Sequence, residues 1–128
     1  MKLTFGKNEK LKSKKAIEAL FSEGQSYVSH PIRIVYHVKT QEKFNVQVGV
    51  SVAKKRFKHA VDRNLLKRRI REAYRLNKSL ITSEEPLGVD VLFIYTSSSI
   101  KDFDKINQAM KEVLEKLNHK LTKKEQSS

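Results

Sequence analysis

The chain changes hydrophobic period several times, and each change marks an element. From Ser13, the apolar residues Ile17, Leu20 and Phe21 fall on one side of a helical wheel; Ser13 is a natural N-cap and Gly24 a natural stop. This predicts a helix over Ser13 to Glu23. The period then drops to two. Ile32, Ile34, Tyr36 and Val38 form a first alternating segment, and Val46, Val48, Val50 and Val52 alternate with Gln47, Gly49 and Ser51 in a second. Pro31 marks a strand start, because its missing N–H cannot serve a central ladder. The polar stretch Lys39 to Lys43 is short enough for a hairpin, so these two strands are expected to pair antiparallel. A long helix should open at Asp62 or just before it and run to about Asn77, followed by a polar loop from Lys78 to Pro86. Val89 to Tyr95 is almost continuously apolar and reads as a strand buried on both faces. Ile106, Ala109, Met110, Val113, Leu114 and Leu117 then repeat at helical spacing, predicting a last helix over Asp102 to His119.

The resulting class is α+β, a two-layer α/β sandwich with a small mixed sheet of about four strands and three helices in the order α-β-β-β-α-β-α. The strands ending near Ala53 and starting at Val89 are joined through a helix and should be parallel. A single domain is expected over residues 1–121, with 1–12 as an extended arm anchored by Leu3, Phe5 and Leu11, and 122–128 as a disordered tail.

Charge changes this picture from a fold to a binding protein. The 27 Lys and Arg outnumber the 14 Asp and Glu, leaving a formal charge of +13, while 38% of the residues remain hydrophobic. Cations have thus been added to a foldable core, and the excess calls for a polyanion. The chain has no cysteine, which rules out disulfides and zinc-thiolate sites. Met1 to Lys15 is polar and lysine-rich, so a cytoplasmic protein without a membrane span is expected.

The cations concentrate on the long helix. With Val61 at zero and about 100° per residue, Leu65, Leu66, Ile70, Ala73, Tyr74 and Leu76 occupy roughly 40° to 220°. Arg63, Asn64, Lys67, Arg68, Arg71, Arg75 and Lys78 occupy roughly 200° to 340°, and Arg69 alone breaks the partition, so it should snorkel near an edge. A face selected only for solubility mixes Glu with Lys at i,i+4. Here Arg63, Lys67, Arg71 and Arg75 stack at successive i+4 positions, an arrangement that makes sense opposite phosphates, which accept the bidentate guanidinium fork. Lys54, Lys55, Arg56 and Lys58 extend the patch just before the helix. Asn64 is able to reach a base edge or a ribose.

Other chemistry is poorly supported. His30, His37, His59 and His119 have no metal-ligand spacing, and no Gly-rich phosphate loop or nucleophile–base pair is present. Asp90 and Asp62 read as a strand-edge residue and a helix cap. A duplex-DNA reader would need more base-reading side chains than Asn64, and a membrane binder would need the apolar face that covers the sheet. A general RNA-binding module fits charge and helix equally well.

Ser51, Val52, Ala53, Lys54 and Lys55, then Ala60 and Val61, and the run Arg63-Asn64-x-x-Lys67-Arg68-x-x-Arg71 with Ala73, Tyr74 and Arg75, resemble the signature of the bacterial ribonuclease P protein. Leu11, Lys12, Ile17, Phe21 and Gly24 resemble its first helix, so the similarity spans roughly Phe5 to Leu117. The resemblance implies a subunit that binds the ribonuclease P catalytic RNA and precursor tRNA and helps remove the 5′ leader. Chemistry would belong to that RNA and to Mg2+ held by RNA and substrate, with no catalytic side chain, no membrane and no obligate protein partner. It further implies a left-handed crossover between parallel strands and a leader cleft between the first helix and the sheet. Ile17, Phe21 and Tyr36 would line that cleft, though Phe21 and Tyr36 are also compatible with ordinary core packing. Two departures stand out: Phe57-Lys58-His59 replaces a compact Gly-Asn turn, and Ile17 stands where an aromatic is usual.

Overall fold

The computed structural model describes residues 10–11, 13–40, 43–83 and 86–126, with backbone only from 123 onward. Most of the expected arm, Phe5 and Leu3 included, and the last two residues of the expected tail therefore lie outside the described residues, as do 41–42 and 84–85 of the two loops. Among the described residues three α-helices, α1 (Lys14–Glu23), α2 (Ala60–Asn77) and α3 (Phe103–Gln126), and a short 3-10 turn at Lys78–Leu80 accompany four strands, β1 (Gln25–Ser29), β2 (Ile32–Thr40), β3 (Asn45–Ser51) and β4 (Leu87–Tyr95). This is the α+β order expected, with β1 as the strand that the hydrophobic pattern did not delimit. The tail differs: the helical backbone continues through residues 122–126, which were expected to fray.

The sheet order is β1-β2-β4-β3. β1 pairs antiparallel with β2, β2 antiparallel with β4, and β3 parallel with β4. The expected β2–β3 hairpin does not form; β4 lies between the two strands. The register shows why loop length misleads here, because Thr40 sits opposite Leu87 and Asn45 opposite Gly88, so the connection straddles the start of β4. Two strand spacings are only about 9–10 Å, well within reach of a few residues. β4 is the most apolar strand, and a central place buries both its faces and satisfies both its edges. Asp90, expected at a strand edge, is consequently inside that central strand and 2% exposed, where its carboxylate accepts from Lys39 Nζ at 3.2 Å.

Alternation along the strands separates two faces. Ile34, Tyr36, Val48, Val91 and Phe93 join Leu66, Ile70, Ala73 and Tyr74 of α2 and Met110, Val113, Leu114 and Leu117 of α3 in the main core. Val35 and Leu92 point the other way and pack with Leu20 of α1 and with Leu11. α1 thus covers part of the opposite face. Its start is capped by Ser13, whose Oγ accepts from the Ala16 N–H at 3.2 Å, and its end by the Gly24 N–H donating to the Leu20 carbonyl at 3.1 Å. Gly24 is needed for close approach: a Cβ there would run into the Leu20 carbonyl oxygen and come within 3.0 Å of the Tyr36 carbonyl oxygen.

Candidate RNA interface

The basic segment before α2 is built around one apolar anchor. Phe57 is buried and its ring lies 5.8 Å from that of Tyr95, which pins the run Lys54 to Lys58 to the end of β4 and leaves Lys54, Lys55 and Lys58 exposed. Two arginines brace it. Arg56 donates to the Thr96 carbonyl at 3.0 Å and to Ser98 Oγ at 3.2 Å, and Arg63 donates to the carbonyls of Phe57 and Lys58 at 2.7 and 3.0 Å. Arg63 therefore ties the basic turn to the first turn of α2, so part of its donor set serves the protein itself. That turn has no side-chain cap; His59 is the N-cap residue and helix begins at Ala60, so Asp62 is not the cap but a first-turn acid favoured by the helix dipole.

Along α2 the buried side chains are Leu66, Ile70, Ala73, Tyr74 and Asn77, close to the expected arc. Leu76, placed by the wheel among the sheet-facing residues, is instead exposed, since it falls at the arc's margin near the helix end. Asn64, Arg68 and Arg71 are exposed and Lys67 half-buried. Among the described residues no side chain of these four, nor that of Lys54, Lys55 or Lys58, has a hydrogen-bond or ion-pair partner. Arg75 differs, because its guanidinium forks onto Glu72, with Nε donating to Oε2 at 3.1 Å. That contact holds the Glu72 carboxyl below its ordinary value and raises Arg75. Arg69, the exception on the wheel, donates to the Lys101 carbonyl at 2.7 Å and so braces the segment leading into α3.

Tyr95 organises the same region. Its hydroxyl donates to the Ser99 carbonyl at 2.7 Å and accepts from the Lys101 N–H at 2.9 Å, so the loop that receives Arg56 and Arg69 is fixed from within. Burial pushes the Tyr95 hydroxyl up, partly offset by its contacts with Lys101 and Ser97 and by the nearby Arg69 charge.

A cleft of about 640 Å³ opens on the α1 side of the sheet. Ile17 of α1, Leu92 of β4, Gly49 of β3 and Arg71 of α2 line it, together with Lys10 and Leu11. The cation face of α2 and the apolar side of α1 therefore meet at one place. Phe21, expected to line the cleft, is not among its lining residues but lies one helical turn beyond Ile17, 66% exposed and outside the core. Tyr36 is not in this cleft. Residue parity puts it on the opposite face, 4% exposed and stacked 6.0 Å from Tyr27, while its neighbour Val35 faces α1. Burial, with Tyr27 adding to it, pushes the Tyr36 hydroxyl up. Several contributors escaped the sequence reading as site residues, among them Lys10, Leu11, Gly49, Leu92 and Phe57. Gly49 had a signal, since glycine inside a valine strand marks a close approach, as did Phe57, a lone apolar residue within a basic run.

The family model described as Ribonuclease P matches residues 5–118. The chain belongs to that family. A ribonuclease P protein component from Porphyromonas gingivalis strain W83 is 39% identical over 117 residues, covering 87% of this chain and 85% of its own length. One from Petrotoga mobilis is 36% identical over 104 residues, covering 81% and 82%. Among solved structures, the ribonuclease P protein of Thermotoga maritima superposes with a TM-score of 0.68 at 24% identity, covering 84% of this chain and 96% of that one. That of Staphylococcus aureus gives 0.68 at 24%, covering 90% and 93%. The fold is thus that of ribonuclease P proteins, and the chain is the protein component of the ribonucleoprotein that processes tRNA 5′ ends, which makes the RNA subunit its partner. Among the described residues no helix is long and apolar enough to cross a membrane.

Proposed function

We propose that the cations of α2 and of the preceding turn (Lys54, Lys55, Lys58, Lys67, Arg68, with Asn64) dock on the catalytic RNA, while the cleft beside α1 takes the single-stranded 5′ leader of precursor tRNA. The observation that carries this reading is Arg71, which belongs to the cation stripe of α2 yet lines the same cleft as Ile17. A strand leaving the RNA-bound face can pass over Arg71 and lay its bases on apolar side chains. Exposed aromatic and aliphatic groups suit unpaired bases, whereas phosphates suit arginine. Hydrolysis is assigned to Mg2+ held by the catalytic RNA and the substrate; the chain's own part is to bind, orient and neutralise, in the cytoplasm.

Reconstitution with a bacterial ribonuclease P RNA tests the division. Arg71→Ala and Phe21→Ala are expected to weaken binding of a long-leader precursor about tenfold each, roughly one charge-assisted contact or one stacked base, while leaving mature tRNA unaffected. Equal losses for precursor and mature tRNA would show that the cleft does not receive the leader.

A further inference from the structure

β3 is an outer strand, paired through one edge with β4, and the N-terminal segment docks on its other edge. Lys10 forms a parallel bridge with Val48, and the Leu11 N–H donates to the Val48 carbonyl at 2.9 Å. The Leu11 side chain folds over the strand and is 9% exposed, in the small cluster with Leu20, Val35 and Leu92. It fits there because position 49 has no side chain. A Cβ on Gly49 would lie 3.2 Å from Leu92 Cδ1 and 3.6 Å from both Cβ and Cδ2 of Leu11, and any larger side chain would compete for the space that Leu11 fills. The cleft therefore has α1 on one wall at Ile17, Arg71 of α2 on another, and Lys10 with Leu11 on a third, above a floor that includes Gly49 and Leu92. Lys10 and Arg71 are both exposed there, and neither side chain has a partner among the described residues.

We propose that this docked segment is a working wall of the leader site: Leu11, seated on Gly49, positions Lys10 so that Lys10 and Arg71 together hold the backbone phosphates of a single RNA strand whose bases rest on the apolar floor. The inference rests on the reading of the cleft given above. Two cations over an uncharged, aliphatic floor suit a strand with unpaired bases, and a site of this volume takes one or two nucleotides, not a helix. Lys10 contacts the strand; Leu11 and Gly49 are positioning residues.

The test uses holoenzyme assembled from the full chain and a bacterial ribonuclease P RNA, with long-leader precursor and mature tRNA compared across salt concentrations. Lys10→Gln is expected to weaken precursor binding about 3- to 10-fold, to leave mature tRNA unchanged, and to lower the precursor's slope of log affinity against log salt by about 0.7, the value for one phosphate contact on a single strand. Leu11→Ser and Gly49→Val retain the lysine but unseat it, and lower that slope by the same amount; Leu11→Met preserves it. A purely structural role would move both substrates together and leave the slope alone. Wild-type precursor binding and slope in Lys10→Gln and Leu11→Ser, with Arg71→Ala still defective, would overturn the proposal and leave the cleft reading intact. Wild-type behaviour in all of them, Arg71→Ala included, would overturn both.

Discussion

Replacing Asn64, Lys67 and Arg68 together by alanine is expected to weaken binding to the catalytic RNA about 100-fold or more and leave the melting temperature nearly unchanged. The three side chains sit within two turns of α2, none contributes to the core, and none has a partner among the described residues. Each contact from a charged donor to a phosphate is worth about 1.5 kcal/mol or more, and a neutral amide about 1 kcal/mol, so the loss should reach roughly 3–4 kcal/mol. Removing two cations should also flatten the salt dependence by about 1.4–1.8 units of slope. Equilibrium binding at several salt concentrations, with a thermal melt of the same variant, checks both halves. Arg63→Ala should behave differently. Because Arg63 holds the Phe57 and Lys58 carbonyls, its loss should loosen the basic turn as well as remove a charge.

Phe93→Ala should give the converse pattern. Phe93 is fully buried in the central strand, with its ring 5.7 Å from that of Tyr74, and this pair joins the apolar side of α2 to the sheet. Truncating a buried phenylalanine costs about 3–5 kcal/mol in lost burial and residual cavity, a large share of the roughly 5–15 kcal/mol that holds a domain together. Urea unfolding should show that loss. RNA affinity measured where the variant is still folded should stay within a few-fold of wild type, since no cation moves. A variant that lost RNA affinity without losing stability would show that α2 is not divided into a packing side and a binding side.

The features legible from the sequence were those encoded locally. Ser13 and Gly24 bound α1 by capping chemistry, the valine alternation located β3, and the apolar run interrupted only by Asp90 located β4. The cation stripe of α2 was readable because like charges at i+4 have a local cost that only a partner offsets. Strand order was not readable, since a short loop can join neighbours or straddle one strand, and the deciding factor was competition for the central position, won by the most apolar strand. Tyr36 shows the weakness of a period of two: a shift of one residue reverses the face, and only the ladder pairing Tyr36 with Val91 and Val35 with Leu92 sets it. Which arginines stay available was also hidden. Arg56 and Arg63 look like Arg68 in the sequence, yet backbone carbonyls from other segments take up part of their donor sets.

Site-directed photo-crosslinking tests the central claim most directly, and the chain suits it because it contains no cysteine, so each variant carries a single thiol. Asn64→Cys and Ile17→Cys, each bearing a thiol-linked photo-crosslinker, would be assembled with a bacterial ribonuclease P RNA and a precursor tRNA. The probe at 64 should attach to the catalytic RNA and the probe at 17 to the leader. Attachment of the probe at 17 only to the catalytic RNA, or of the probe at 64 to the leader, would contradict the assignment of the two surfaces.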